Sequence, residues 1–215
     1  MRPATRTQLW IEFIAFYVVA PLIMAVLLPA TMMFPALFGV TFVGMVLLHI
    51  TTGFSWRDLL RGWAALRWGE IIRFGAVVLI ASLIIMWGTA PDQMFVLIRE
   101  RPEIMVMIAL FYPVVSALPQ EIVFRALFFR RYARILPRGT GVLFLNAALF
   151  SLAHLMYWSW IVAVMTFVGG VVFAWAYELR QSFALAVVLH SVAGVVLFCV
   201  GMGVYFFSGN VVRPF

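Results

Sequence analysis

Lysine is absent from this chain, and all 15 of its basic side chains are arginines. Cysteine is almost absent too. The one thiol, Cys199, cannot form an intrachain disulfide, and there is no CxxC pair or Cys/His cluster of zinc-finger spacing, so cysteine usage carries no information about redox compartment. Charge is scarce, at 11% of residues against 66% hydrophobic, whereas a soluble domain carries about a quarter charged residues. No polar stretch is long enough for a separate soluble domain, and linkers, low-complexity tracts and internal repeats are missing. These absences exclude the soluble classes and leave an integral membrane protein.

The sequence that remains is a series of apolar runs with a mean hydropathy of +1.09. Crossing a bilayer takes roughly 20 apolar residues. The 215 residues therefore hold about seven spans in a single membrane domain. The runs lie near 9–28, 31–50, 71–87, 104–129, 140–156, 161–177 and 183–205, and they predict helices, because backbone in lipid must satisfy its own hydrogen bonds. The fold class expected is an all-α polytopic membrane protein. The N-terminus has arginines before an apolar run, as a signal peptide does. Its run is long, contains Glu12 and Pro21, and lacks a clear small-x-small cleavage site, so it reads as an uncleaved first span.

The net charge of +7 does not point to nucleic acid, because the arginines are scattered between the apolar runs. They act better as topology signals. Arg2, Arg6, Arg57, Arg61, Arg67, Arg73, Arg130, Arg131, Arg134, Arg138 and Arg180 fall on one side, against Arg99, Arg101 and Arg213 on the other. This asymmetry places the N-terminus in the cytoplasm and the C-terminus outside. The Trp- and Arg-rich loop GFSWRDLLRGWAALRWGE predicts a short interfacial helix, and Tyr157, Trp158 and Trp160 predict an aromatic belt on the other face.

Against this background the stretch SALPQEIVFRALFFRRY is anomalous. It places Glu121 and Arg125 at membrane depth, where a charge costs at least about 2.5–3.5 kcal/mol and turns inward toward a partner. Four residues apart, the two share a helix face and can pair. A buried structural ion pair would explain them alone. Two further titratable residues on other spans, His154 in LFLNAALFSLAHL and His190 in AVVLHSVAGVV, make a shared site the better expectation. Asn146, Ser151 and Ser191 read as packing residues, His49 as interfacial, and Gly169, Gly170 and Ala174 as a small-residue packing face.

These residues resemble the signature of the CPBP intramembrane proteases, the CAAX-protease and bacteriocin-processing family. QEIVFR matches a Glu-Glu-x-x-x-Arg motif through Glu121 and Arg125. FSLAH matches Phe-x-x-x-His through Phe150 and His154, and HSVAG matches His-x-x-x-Asn through His190. The resemblance covers about residues 104–205. It implies an endopeptidase in which a glutamate and the second-motif histidine activate water, while the third-motif histidine and asparagine stabilise the oxyanion. Two positions depart from the pattern: Gln120 replaces the first glutamate, and Gly194 replaces the asparagine.

The expected catalytic set is Glu121, His154 and His190, supported by Gln120, Arg125 and Phe150. The expected function is cleavage of a peptide or membrane-protein substrate in the bilayer by activated water, with Gln120 contacting substrate or oxyanion. The alternative is a protease-like membrane protein that binds or regulates a partner without cutting it. A proton relay of a transporter is a third reading, which the lack of an inverted repeat disfavours. No cofactor is expected. A His–His–Glu set can hold zinc, yet no HExxH spacing supports it. No nucleic-acid partner is expected. The all-arginine usage points to a bacterial cytoplasmic membrane, and the topology predicts a cavity open to the cytoplasm.

Overall fold

The structure is a computed structural model that describes residues 4–60, 62–63 and 66–214. Arg2, Arg61 and Phe215, which enter the topology argument, lie outside the described residues. Helices run in the order α1 (Arg6–Leu27), α2 (Met33–His49), α3 (Trp68–Thr89), α4 (Val96–Glu100), α5 (Pro102–Arg131), α6 (Gly141–Ala153), α7 (Trp160–Glu178), α8 (Phe183–Val200) and α9 (Gly203–Phe206). Five of these, α1, α3, α5, α7 and α8, are long and apolar enough to cross a membrane. The apolar helices α2 and α6, of 17 and 13 residues, complete the seven segments read from the sequence. Large side chains on the outside, such as Ile72, Val77, Trp87 and Leu110, are strongly exposed, as a lipid-facing surface requires. The chain is an integral membrane protein with an all-helical fold.

The ends of these segments are set locally. Helix α6 is α-helical to Ala153 and is continued by a 3₁₀ turn over Leu155–Tyr157, so the apolar helical segment as a whole runs Gly141–Tyr157, in keeping with the segment read from the sequence. His154 stands at the junction of the two. The last segment ends at Val200 and not at Tyr205, because Gly201 adopts φ 107°, a left-handed conformation open to glycine, and closes the helix with Met202 N–H donating to Leu197 O. In the loop predicted as an interfacial helix, Trp56–Leu60 forms a 3₁₀ turn; residues 61, 64 and 65 of that loop lie outside the described residues.

Polar groups tie the helices together at the arginine-rich end. Arg131 makes a bidentate contact with Glu12 at 2.6 and 2.9 Å and donates to Leu47 O at 3.1 Å, joining α5, α1 and α2. Arg180 reaches both oxygens of Glu70 at 3.0 and 2.9 Å. Between these pins and the middle of the bundle, Phe13, Tyr17, Phe124, Phe128 and Tyr132 form a buried aromatic knot. Trp158 donates its indole N–H to Ala25 O at 3.3 Å at the opposite end, and Phe95 N–H donates to Val200 O at 2.9 Å.

Helix α5 is not uniform. It widens into π-helix over Pro113–Ala117 and again over Ile122–Leu127. Pro113 and Pro119 bring no backbone N–H to the ladder, and the wider turns shift the bonding of neighbouring carbonyls. Two buried side chains from other helices supply donors there: Tyr17 Oη to Val123 O at 2.7 Å and Asn146 Nδ2 to Phe124 O at 2.6 Å. The second bond gives Asn146 the packing role expected of it. Together these contacts fix the turn that carries Glu121 and Arg125.

Candidate active site

Glu121 and Arg125 lie on the second π-widened stretch and its N-cap, and both side chains are 0% exposed. Glu121 Oε2 lies 3.1 Å from Arg125 Nε, so the pair expected from the i, i+4 spacing is present. It is a charge contact without hydrogen-bond alignment, and Nη1 and Nη2 of Arg125 also find no acceptor. The guanidinium is instead sandwiched by aromatic faces, 4.7 Å from the Phe150 centroid and 5.6 Å from that of Phe173. Cation–π attraction is strongest where water is excluded, as here.

The other oxygen of Glu121, Oε1, accepts from His190 Nδ1 at 2.8 Å. The helices α5 and α8 are thereby joined through a carboxylate–imidazole pair that fixes the ring of His190, which also stacks on Phe173 at 4.8 Å and 10°. His190 Nε2 points to Tyr112 Oη at 3.4 Å. His154 reaches the same region from α6, its ring 4.6 Å from that of Phe150, while His190 lies 5.6 Å from Phe150 on another side. Because a carbonyl only accepts, the 2.7 Å contact between His154 Nδ1 and Phe150 O assigns the proton to Nδ1. In the neutral ring Nε2 then carries the free lone pair.

A cavity of about 1090 Å³ joins these groups. His154, His190, Tyr112, Ser116 and Gln120 are among the polar residues of its largely apolar and aromatic wall. Glu121 and Arg125 are not part of that wall. The structure thus brings all three candidate catalytic residues into one cluster, and it separates them by position: two histidines face the cavity, while the carboxylate sits behind His190. Gln120 faces the cavity and donates from Nε2 to Ser116 Oγ at 3.0 Å.

From Gln120 and His190 the cavity spreads past Phe111 and Leu197 to Gln93, Gly201 and Asn210, and its wall also includes Phe74 and Phe173. Among the described residues no three His, Cys, Asp or Glu side chains are close enough to hold a metal ion.

Tyr112 and Phe173 are functional neighbours that the motifs do not contain. The signal for Tyr112 was present, because Tyr112, Ser116 and Gln120 follow one another at i, i+4 and i+8, a polar stripe along one face of an apolar helix. Gly170 provides the close approach expected of a small-residue face: a Cβ there would stand 3.0 Å from Ala147 Cα and 3.2 Å from Phe150. This contact sets α7 against α6 and holds Phe150 beneath the guanidinium.

No curated protein and no solved structure matches the chain. One family model does. Residues 102–196, from the start of α5 to the second half of α8, match the type II CAAX prenyl endopeptidase Rce1-like family, so the part of the chain that carries Glu121, His154 and His190 is similar to membrane proteases of the CAAX type.

Proposed function

We propose that the protein is an intramembrane endopeptidase in which His154 activates water and the Glu121–His190 pair stabilises the negative charge formed on the scissile carbonyl. The observation that supports this division of labour is that both oxygens of Glu121 are engaged, one by His190 and one by Arg125, behind the cavity wall. A buried carboxylate so occupied is badly placed to take a proton from water. His154 Nε2 is free and belongs to a residue that lines the cavity.

In the proposed reaction water attacks the peptide carbonyl. The new C–O bond forms, the carbonyl electrons move onto oxygen, and the water proton passes to His154 Nε2. Return of that proton to the leaving amine completes C–N cleavage. His190, held through Nδ1 by a carboxylate, presents Nε2 to the oxyanion, and the charge of a protonated His190 there opposes the negative charge on that oxygen. The substrate is a peptide or membrane-protein segment with apolar side chains, in keeping with the cavity wall.

The test uses the purified full chain in lipid nanodiscs with two quenched-fluorescence peptides, one ending in a prenylated CAAX sequence and one a simple apolar segment. Cleavage of either, lost by about 10²–10⁴-fold in His154→Ala, is the expected result. Gln120 and Gly194 favour the second reading, a protease-like protein that binds without cutting. Binding of both peptides without cleavage would establish that reading and overturn the first.

A further inference from the structure

Gly194 stands where the family pattern has its asparagine, one helical turn after His190. The space its side chain would occupy is not empty. A Cβ at position 194 would fall 2.1 Å from Tyr112 Cε1, 2.2 Å from Cζ and 2.6 Å from Oη. The phenol of α5 is therefore laid against the backbone of α8 at the one residue without a side chain, and its hydroxyl sits at nearly the distance from Cβ, about 2.4 Å, at which an asparagine amide nitrogen would lie.

We propose that Tyr112 replaces the missing asparagine as the second donor to the oxyanion, in partnership with His190. The inference rests on the peptidase reading above. Tyr112 and His190 both line the cavity, and Tyr112 Oη is 3.4 Å from His190 Nε2. Two donors that far apart can converge on a single oxygen lying about 2.8 Å from each, which is the geometry an oxyanion site requires. The phenolic O–H has His190 Nε2 within reach. With His190 protonated on both nitrogens, the phenolic O–H and Nε2–H both point their hydrogens at the shared oxygen.

Three neighbours hold the phenol in place. Pro113, the next residue, opens the first π-widened stretch of α5, and the Tyr112 ring packs edge-on against Phe198 at 6.0 Å and His190 at 6.1 Å. Gly194 completes the seat. A side chain at 194 and the Tyr112 ring in this position exclude one another sterically, so the phenol of α5 occupies the place that an asparagine of α8 would take.

The experiment separates this inference from the reading on which it rests. The parent and Tyr112→Phe, which keeps the ring and its packing, are compared for cleavage of the two peptides and for binding of a short series of apolar peptides in which a phosphinate replaces one amide. The expected results are a fall of about 10²–10³-fold in kcat with KM little changed, and phosphinate binding weakened about 10- to 100-fold while binding of the parent amides stays the same. Tyr112→Ala combined with Gly194→Asn should recover part of both. If the parent binds phosphinates through Tyr112 but cuts nothing, the oxyanion donor stands and the peptidase reading falls. Equal phosphinate binding by parent and Tyr112→Phe, or no phosphinate binding by the parent, overturns the inference whatever the parent cleaves.

Discussion

Glu121→Gln is the substitution whose cost the structure defines best. The amide has the shape of the carboxylate and can still accept from His190 Nδ1, so the hydrogen bond across α5 and α8 is kept in neutral form. The loss falls on Arg125. Its guanidinium is 0% exposed, its Nη1 and Nη2 have no acceptor, and its one counter-charge lies at 3.1 Å. At an effective dielectric of about 20 that contact is worth about 5 kcal/mol of attraction. The Phe150 and Phe173 faces remain in both forms and cannot make up the difference. Removal of one partner from a buried pair destabilises by about 3–5 kcal/mol, and Glu121→Gln should fall in that range. Reversible unfolding in mixed micelles, followed by circular dichroism, measures it. Glu121→Gln with Arg125→Met removes both charges and should return to within about 1–2 kcal/mol of the parent. A single variant within about 1 kcal/mol of the parent, or a double variant no better than the single, would refute the claim that the Glu121 charge stabilises the buried Arg125 guanidinium in the folded chain.

Gly194→Asn alone should destabilise the protein and abolish cleavage, since its Cβ would meet the Tyr112 ring at 2.1 Å; restoring the family residue without vacating position 112 does harm, and thermal unfolding with the peptide assay reads both effects. Gly170→Ala should cost about 1–3 kcal/mol, because the new methyl is driven to 3.0 Å from the Ala147 backbone, and the same unfolding assay measures it. Tyr17→Phe leaves Val123 O without its 2.7 Å donor and should lower stability by about 1–3 kcal/mol, with a larger hydrogen-exchange rate at the following turn. Reporter fusions at the C-terminus should be active outside the cytoplasm and fusions within 57–60 inside it; the reverse pattern would overturn the seven-span topology read from the arginines.

The helices and the principal site residues were legible because each announces itself locally. A carboxylate, a guanidinium and two imidazoles in apolar runs are costly, so their presence alone marks a site, and the spacing of Glu121 and Arg125 is enough to pair them. What the sequence hides is convergence between helices. The bond from Glu121 to His190 depends on how α5 rotates, and that rotation is set by two π-widened turns, the second of them held by Tyr17 and Asn146 from elsewhere in the chain. Spacing arguments assume a regular helix and cannot see it. Tyr112 was overlooked because tyrosine is at home in apolar segments, and a glycine across the bundle reads as a loss until the ring that fills its place is seen.

The two departures from the protease pattern have a common electrostatic consequence. With Glu121 facing Arg125, the buried pair is neutral, and a proton added to His190 makes the region behind the cavity wall positive by one charge. A second carboxylate at position 120 would face the same cavity and oppose the negative charge that develops on the substrate oxygen, repaid only by its use as a base. Gln120 removes that repulsion and retains a hydrogen-bonding group, anchored on Ser116 at 3.0 Å. In the proposed reaction the burden of proton transfer then rests on His154, whose Nδ1 is committed to Phe150 O and whose Nε2 is free. The proposed oxyanion site is left with two donors, His190 and Tyr112, neither of which needs a carboxylate at 120. The departures at 120 and 194 are therefore compatible with peptide hydrolysis, provided that the base is an imidazole and the second donor a phenol.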